Sequence, residues 1–309
     1  MPALPDRPAL FDVVLAEGSD CVRLLQGQLT CDIAALSSGG LQFGAACNTK
    51  GRVIAAFIVS RINDCYSFVC APGVGQLLVD TLKRFLPFYK GCSLRLLEAP
   101  HAAWGLVGDT LHGEFLEVVG KDPGGACLVT FDYGWLARLP GRQARGLRFD
   151  GRGGYASTTA PCDQATWDAL GMLDGHFPFS REDSLLFTPQ ELHFDRNGYV
   201  SFTKGCYTGQ EIVARMHYRG KPKKELVLVQ ASAESGLAAT IGQHLYHQDG
   251  SIAGTLLRWR LWEAGGIGLA EVGVDPAGPI QELFDEKHQS LAVHTFGAQN
   301  STDAKNLPN

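Results

Sequence analysis

Within FTKGCYTGQEIVAR, Phe202 to Arg215, a cysteine stands two residues after Lys204 and five before Glu211, flanked by Gly205 and Tyr207. A thiol does chemistry as its thiolate, which a nearby cation and the positive end of a helix both favour. Lys204 supplies the first condition. The second follows if the helix begins at Thr208, where Thr208 and Glu211 have the spacing of a capping box. Gly205 and Gly209 add backbone freedom suited to a turn that cradles a ligand. Cys206 is therefore a candidate reactive residue, and three roles are open to it: nucleophile, metal ligand, or small side chain packed at a tight turn. His193 and His217 are the histidines nearest in sequence, and neither stands at a spacing that defines a Cys/His dyad.

The remaining chemistry-bearing residues narrow the field. The nine cysteines include no CxxC pair, so no standard zinc or iron–sulfur ligand set and no disulfide framework is visible, and the eight outside the motif read as small core residues. From Lys204 to Lys224 there are six Lys or Arg residues, a local positive charge that could attract RNA phosphates, a polyanionic small molecule, or only water. Tyr207 and Tyr218 are the aromatic residues interleaved there, thin support for base stacking. The whole chain carries a net charge of -5, which argues against nucleic-acid binding through its entire surface. No basic leader precedes an apolar run and no stretch approaches eighteen apolar residues, so a cytoplasmic protein with no membrane partner is expected.

These residues need a scaffold, and 309 residues with 45% hydrophobic content can bury an ample core in two or three domains. FDVVLAEG reads as extended, SDCVRLLQG as a helix behind Ser19, GRVIAAFIVSRI as extended and VGQLLVDTLKRFLPF as helical. A second round follows, with AAWGLVGD and ACLVTFDY as strands, GRGGYASTTA as a Gly-rich stretch and DQATWDALGML as a helix. The segment DGHFPFSREDSLLFTPQELHFDRNGYVSF has no period of either kind, and a loop of that length inside a compact domain is usually functional. After RGKPKK come short glycine-broken strands with a hairpin signal at Asp249-Gly250, the pattern of a small β-barrel. The expected division is an α+β region over 1–223, in two parts meeting near residue 100, a barrel over 224–295 and a disordered tail over 296–309.

KGCYTGQE followed by VAR and RG, together with LLQGQLTCDI (Leu24 to Ile33) and CNTKGRV (Cys47 to Val53), resembles the signature of the YgfZ-type folate-binding proteins. These are relatives of the aminomethyltransferase (T-protein) of the glycine cleavage system. The resemblance covers the chain from Phe11 to about Ala292. It implies an α+β, T-protein-like ring of three subdomains around a central folate cavity, with tetrahydrofolate or another reduced folate as cofactor. It also implies an accessory role in the assembly or repair of iron–sulfur enzymes, including tRNA-modifying ones; tRNA itself as a partner rests on the basic run alone. On the same grounds Cys206 is the catalytic candidate, and Trp167, Phe11, Glu191, Lys204 and Tyr207 are the folate-binding candidates. Trp167 lies about forty residues before the cysteine, at the place of a family tryptophan associated with folate. Glu191 is a carboxylate able to bond the pterin's amino and ring N–H groups. No metal site is expected. The one-carbon-transferring relatives carry paired aspartates where this chain has Ala55 and Ala56, and alanine can move no proton, so aminomethyl transfer is not expected. A folate-dependent one-carbon transferase using another base, and a tRNA-binding module, are the alternatives.

Overall fold

A computed structural model describes residues 8–153, 157, 160–220, 223–232, 239–263, 265–274 and 278–296. Strand β1 (Leu10–Glu17) is the hinge of the architecture. It pairs antiparallel with β4 (Cys65–Cys70) and β5 (Ser93–Leu96), and through Leu10 and Phe11 also with β6 (Ala103–Val107). One side of the sheet continues from β4 through β3 (Val53–Ile62) to β2 (Leu41–Cys47). The other runs from β6 through β9 (Arg145–Asp150) and β8 (Gly134–Arg138) to β7 (Cys127–Phe131), giving nine strands in all. A single sheet thus carries the chain across residue 100.

Helices cover its faces. Helix α1 (Cys21–Gln28) and α2 (Val74–Lys83) bury Leu24, Leu25, Leu78 and Leu82 in the main core. Helix α3 (Gly108–Val119) packs Leu111 and Phe115 against β6 and β8 with Leu106 and Leu136. Helix α4 (Gln164–Leu173) starts where the Asp163 side chain accepts from the Thr166 N–H at 2.9 Å, an ordinary carboxylate N-cap. Helix α5 (Gln210–Arg219) follows the cysteine motif.

Near the C-terminus six strands close into a barrel: β10 (Lys224–Ala231), β13 (Gly265–Gly273), β12 (Ile252–Trp262), β11 (His244–Tyr246), β14 (Glu282–Phe284) and β15 (Ser290–Thr295), the last returning to β10. Asp249-Gly250 forms the turn between β11 and β12, with Gly250 at φ +83°. The near-continuous apolar run of β10 has a simple cause. Val227 and Val229 point into the barrel around Trp259, while Leu226 and Leu228 on the alternate face enter the main core with Ile267 and Leu269. Burying each of those four side chains contributes about 1.5–3 kcal/mol, so the barrel is fused to the body by apolar packing. Residues 297–309, where a disordered tail is expected, lie outside the described residues. Among the described residues no helix is long and apolar enough to cross a membrane.

Candidate functional site

The three sequence segments LLQGQLTCDI, CNTKGRV and KGCYTGQE meet in space. The Lys204 side chain reaches the end of α1, where its Nζ donates to the carbonyls of Gln26, Leu29 and Cys31 at 2.8, 2.7 and 2.7 Å. An ammonium has three donors and no acceptor, so the match is one to one. Burial draws the Lys204 pKa down to about 8, which still leaves it charged at neutral pH. The Thr208 N–H donates to Gly27 O at 3.2 Å and its hydroxyl to Gln28 Oε1 at 2.7 Å. Gly209, at φ +86°, lies so close to the β2–β3 turn that a Cβ would come within 2.4 Å of the Asn48 carbonyl oxygen.

These contacts correct two expectations. The capping box does not form: α5 is capped by Gly209 with no side-chain bond, because tertiary partners on α1 take Thr208 first. Lys204 spends its donors on backbone carbonyls, and its Nζ also sits 5.4 Å from the centre of the Tyr207 ring, so it is committed to structure rather than to the thiol. Cys206 itself is exposed, on a loop pinned from both sides. Of the other eight cysteines five are buried and three half-buried, and burial pushes Cys31 and Cys47 up to about 12, far from reactivity.

A cavity of about 540 Å³ opens between the two halves of the sheet, α4, the long loop after it and the barrel. Its aromatic wall holds Trp167, 7% exposed, with its ring centre 5.0 Å from that of Phe11. Gly105 makes this placement possible, since a Cβ there would stand 2.8 Å from Trp167 Cε3. The Arg145 guanidinium lies over the Trp167 ring, 5.2 Å from its centre. Phe43, Tyr199 and His176 form a second aromatic group, with Tyr199 stacked on Phe43 at 4.9 Å.

The polar wall is charged and mostly paired. Arg260 and Arg258, at alternate positions of β12, reach out of the barrel to Asp168 (Nη2 to Oδ2 2.6 Å) and to Asp183. Burial raises the Asp168 pKa, against the pull of Arg260. Arg145 differs. Only 4% exposed, it has Asp174 at 3.7 Å as its nearest carboxylate, and its Nε and Nη2 lack any hydrogen-bond acceptor. Nε is therefore a buried donor with no acceptor, and Nη2 has only that longer ion pair.

His176 is neutral: burial, and then Arg145, pull its pKa to about 3, while Tyr199 Oη lies 3.3 Å from its Nδ1. Its ring should keep the chemical shifts of neutral imidazole down to pH 5 in an NMR titration, and a midpoint near 6.5 would refute the burial described. The sign of the linked stability follows. Below pH 6.5 the unfolded chain takes up the proton and the folded one does not, so stability falls as pH drops from about 6.5 toward 3.

The structure thus brings Trp167 and Phe11 together on one cavity wall and places Cys206, Lys204, Tyr207 and Glu191 outside it. Glu191 accepts from the Thr188 N–H at 2.6 Å and from Arg52 at 3.1 Å, and borders a second cavity instead. The carboxylates on the central wall are Asp168, Glu182 and Asp183. In the basic run, Lys204 is buried and Lys224 pairs with Glu271 at 2.5 Å, while Lys221 lies outside the described residues. Sequence reasoning missed Arg145, His176, Arg258 and Arg260. The two barrel arginines left a signal, LLRWRLW, in which charges alternate with Trp259 along a strand.

The fold is that of a T-protein. The glycine cleavage system aminomethyltransferase T from Bartonella henselae superposes with a TM-score of 0.67 over 93% of this chain and 85% of that one, at 15% identity. No family model matches the chain. Three relatives share the name tRNA-modifying protein YgfZ. That of Vibrio atlanticus is 28% identical over 224 residues, 72% of this chain and 68% of its own length. That of Photobacterium profundum is 30% identical over 227 residues, covering 70% and 66%, and that of Colwellia psychrerythraea is 27% identical over 247 residues, covering 76% of each. The chain belongs to the YgfZ family.

Proposed function

We propose that this chain binds a reduced folate in its central cavity and acts as an accessory protein in the assembly or repair of iron–sulfur enzymes, tRNA-modifying ones among them. The observation that carries the folate reading is an aromatic cavity wall, Trp167 with Phe11 at 5.0 Å and a tilt of 56°, with the Arg145 guanidinium over the Trp167 ring. A reduced pterin suits such a wall, because its ring packs against aromatic side chains. A volume of about 540 Å³ falls inside the ~300–1,000 Å³ of small-molecule sites. The T-protein fold and relatives named as tRNA-modifying proteins support the same reading.

A reduced folate supplies nitrogen atoms that carry one-carbon units. The residues of this chain hold and orient it without assisting transfer. Ala56 lines the cavity where transferring relatives are expected to place a carboxylate, and Asp168 and Asp183 are each held by an arginine. Proton transfer to a folate nitrogen has no free carboxylate at that strand, which favours an accessory role over aminomethyl transfer. Cys206, exposed on its pinned loop, is the group presented to client proteins.

Isothermal titration with tetrahydrofolate under anaerobic conditions tests the binding. We expect saturable heat, with affinity lowered at least tenfold by Trp167→Ala, about 1.4 kcal/mol. Absence of heat at millimolar ligand, or an unchanged affinity in a folded Trp167→Ala chain, removes the proposal.

A further inference from the structure

Past its last residue, Lys83, helix α2 does not unwind at once. The chain winds on through a 3₁₀ turn, Leu86–Phe88, to Cys92, held by N–H donations from Phe85 to Leu82 (3.0 Å), Phe88 to Phe85 (2.9 Å), Tyr89 to Leu86 (3.0 Å) and Cys92 to Tyr89 (3.0 Å). Phe85, Leu86 and Tyr89 pack against the main core, while Phe88 is 78% exposed, the most exposed large apolar side chain among the described residues. Lys83, Arg84 and Lys90 flank it, all exposed, and no acid stands between Lys83 and Lys90 in a chain whose net charge is -5. A fourth cation arrives from the first turn of α1, where the Arg23 guanidinium lies over the Tyr89 ring, 5.6 Å from its centre. Two acids stand alongside, and both are engaged: Asp20 accepts from the Gly91 N–H at 3.0 Å and from Arg23 at 3.4 Å, and Asp80 from Gln76 Nε2 at 2.8 Å. Lys83, Arg84 and Lys90 have no ion pair among the described residues.

A helix C-terminus favours cations, which accounts for Lys83 and Arg84, but Lys90 and Arg23 lie off that helix end. One bare ring among four cations is a poor match for a membrane or a broad protein interface, both of which need contiguous apolar area. It matches a single strand of nucleic acid, in which a base covers one ring face and the phosphates take the cations. The basic run around the cysteine motif fits less well, with Lys204 buried and Lys224 paired. We infer that this corner docks single-stranded RNA, with one base stacked on Phe88 and phosphates held by Lys83, Arg84, Lys90 and Arg23. Stacking and phosphate contacts do not read the sugar, so the choice of RNA rests on the proposed role beside tRNA-modifying enzymes. The surface itself is separate, since none of these residues lines the central cavity. Helix α1 links it to the cysteine motif: eight residues, about 12 Å, run from Arg23 in its first turn to the Lys204 anchorage at its end.

Fluorescence anisotropy of the full chain with a labelled oligouridylate, and with unfractionated tRNA, tests it. Four phosphate contacts give the oligouridylate a slope of about -2.8 in log affinity against log salt, a loss of about 50-fold between ~50 and ~200 mM. Phe88→Ala, at a surface side chain whose loss spares the fold, should weaken binding at least fivefold and keep that slope. Lys83→Gln combined with Lys90→Gln should weaken binding and flatten the slope by about 1.4. The inference is overturned if neither RNA binds at ~50 mM salt, if Phe88→Ala binds as the parent does, or if Arg215→Gln with Arg219→Gln, on the basic run, removes the binding instead. It is equally overturned if phosphatidylserine vesicles or polyglutamate bind as tightly through the same side chains, which would name a membrane or an acidic protein as the occupant. No folate is present in these titrations, so their outcome is separate from that of the folate reading.

Discussion

Lys204→Met is expected to destabilise the folded chain by about 3–5 kcal/mol, a large share of the ~5–15 kcal/mol typical of a folded protein. The magnitude comes from what is left behind. Lys204 serves the carbonyls of Gln26, Leu29 and Cys31 at the end of α1, and methionine fills the same space without a donor. An orphaned buried polar group costs about 1–3 kcal/mol, and partial relaxation of three of them gives the stated range. Urea unfolding read at an unchanged slope measures it, and a loss below about 1 kcal/mol would show that water reaches those carbonyls. The lysine of the motif is thus a structural post that holds the cysteine loop on α1, and its removal should disorder the loop before anything chemical is altered.

Cys206→Ser should do the opposite. The side chain is exposed, so its replacement is expected to shift stability by no more than about 0.5 kcal/mol and to leave tetrahydrofolate affinity unchanged. The cellular activity should nevertheless be abolished, because a hydroxyl is neither a nucleophile nor a soft ligand at neutral pH. The measurement is the extent of tRNA modification in cells whose own copy is replaced by the variant. Full modification with Cys206→Ser would reduce the cysteine to a surface residue. Run together, the two substitutions separate the mechanics of the loop from its chemistry.

Much of this was legible in the chain itself. The runs FDVVLAEG and GRVIAAFIVSRI read as extended and DQATWDALGML as a helix; the structure has β1, β3 and α4 at those places. The closed barrel was foretold by short glycine-broken strands and a hairpin turn. Helix α3 was not read, because its Gly108 and Gly113 interrupt the apolar period that marks a helix. The site divides in the same way. Trp167 and Phe11 could be found through family resemblance, but Arg145 gives no local sign that its guanidinium is buried against the cavity wall, since that depends on elements far apart in sequence. Lys204 and Cys206 are two residues apart and face different surroundings, one buried and one exposed, which spacing alone does not show.

Arg258 and Arg260 are rooted in the barrel yet grip Asp183 and Asp168 on the body, and all four line the central cavity. Cavity and seam therefore share their fastenings, and the two equilibria are reciprocal. A guest that seats itself against these pairs tightens the joint between body and barrel, and anything that pries the joint open, a partner leaning on the barrel included, must loosen the hold on the guest by the same factor.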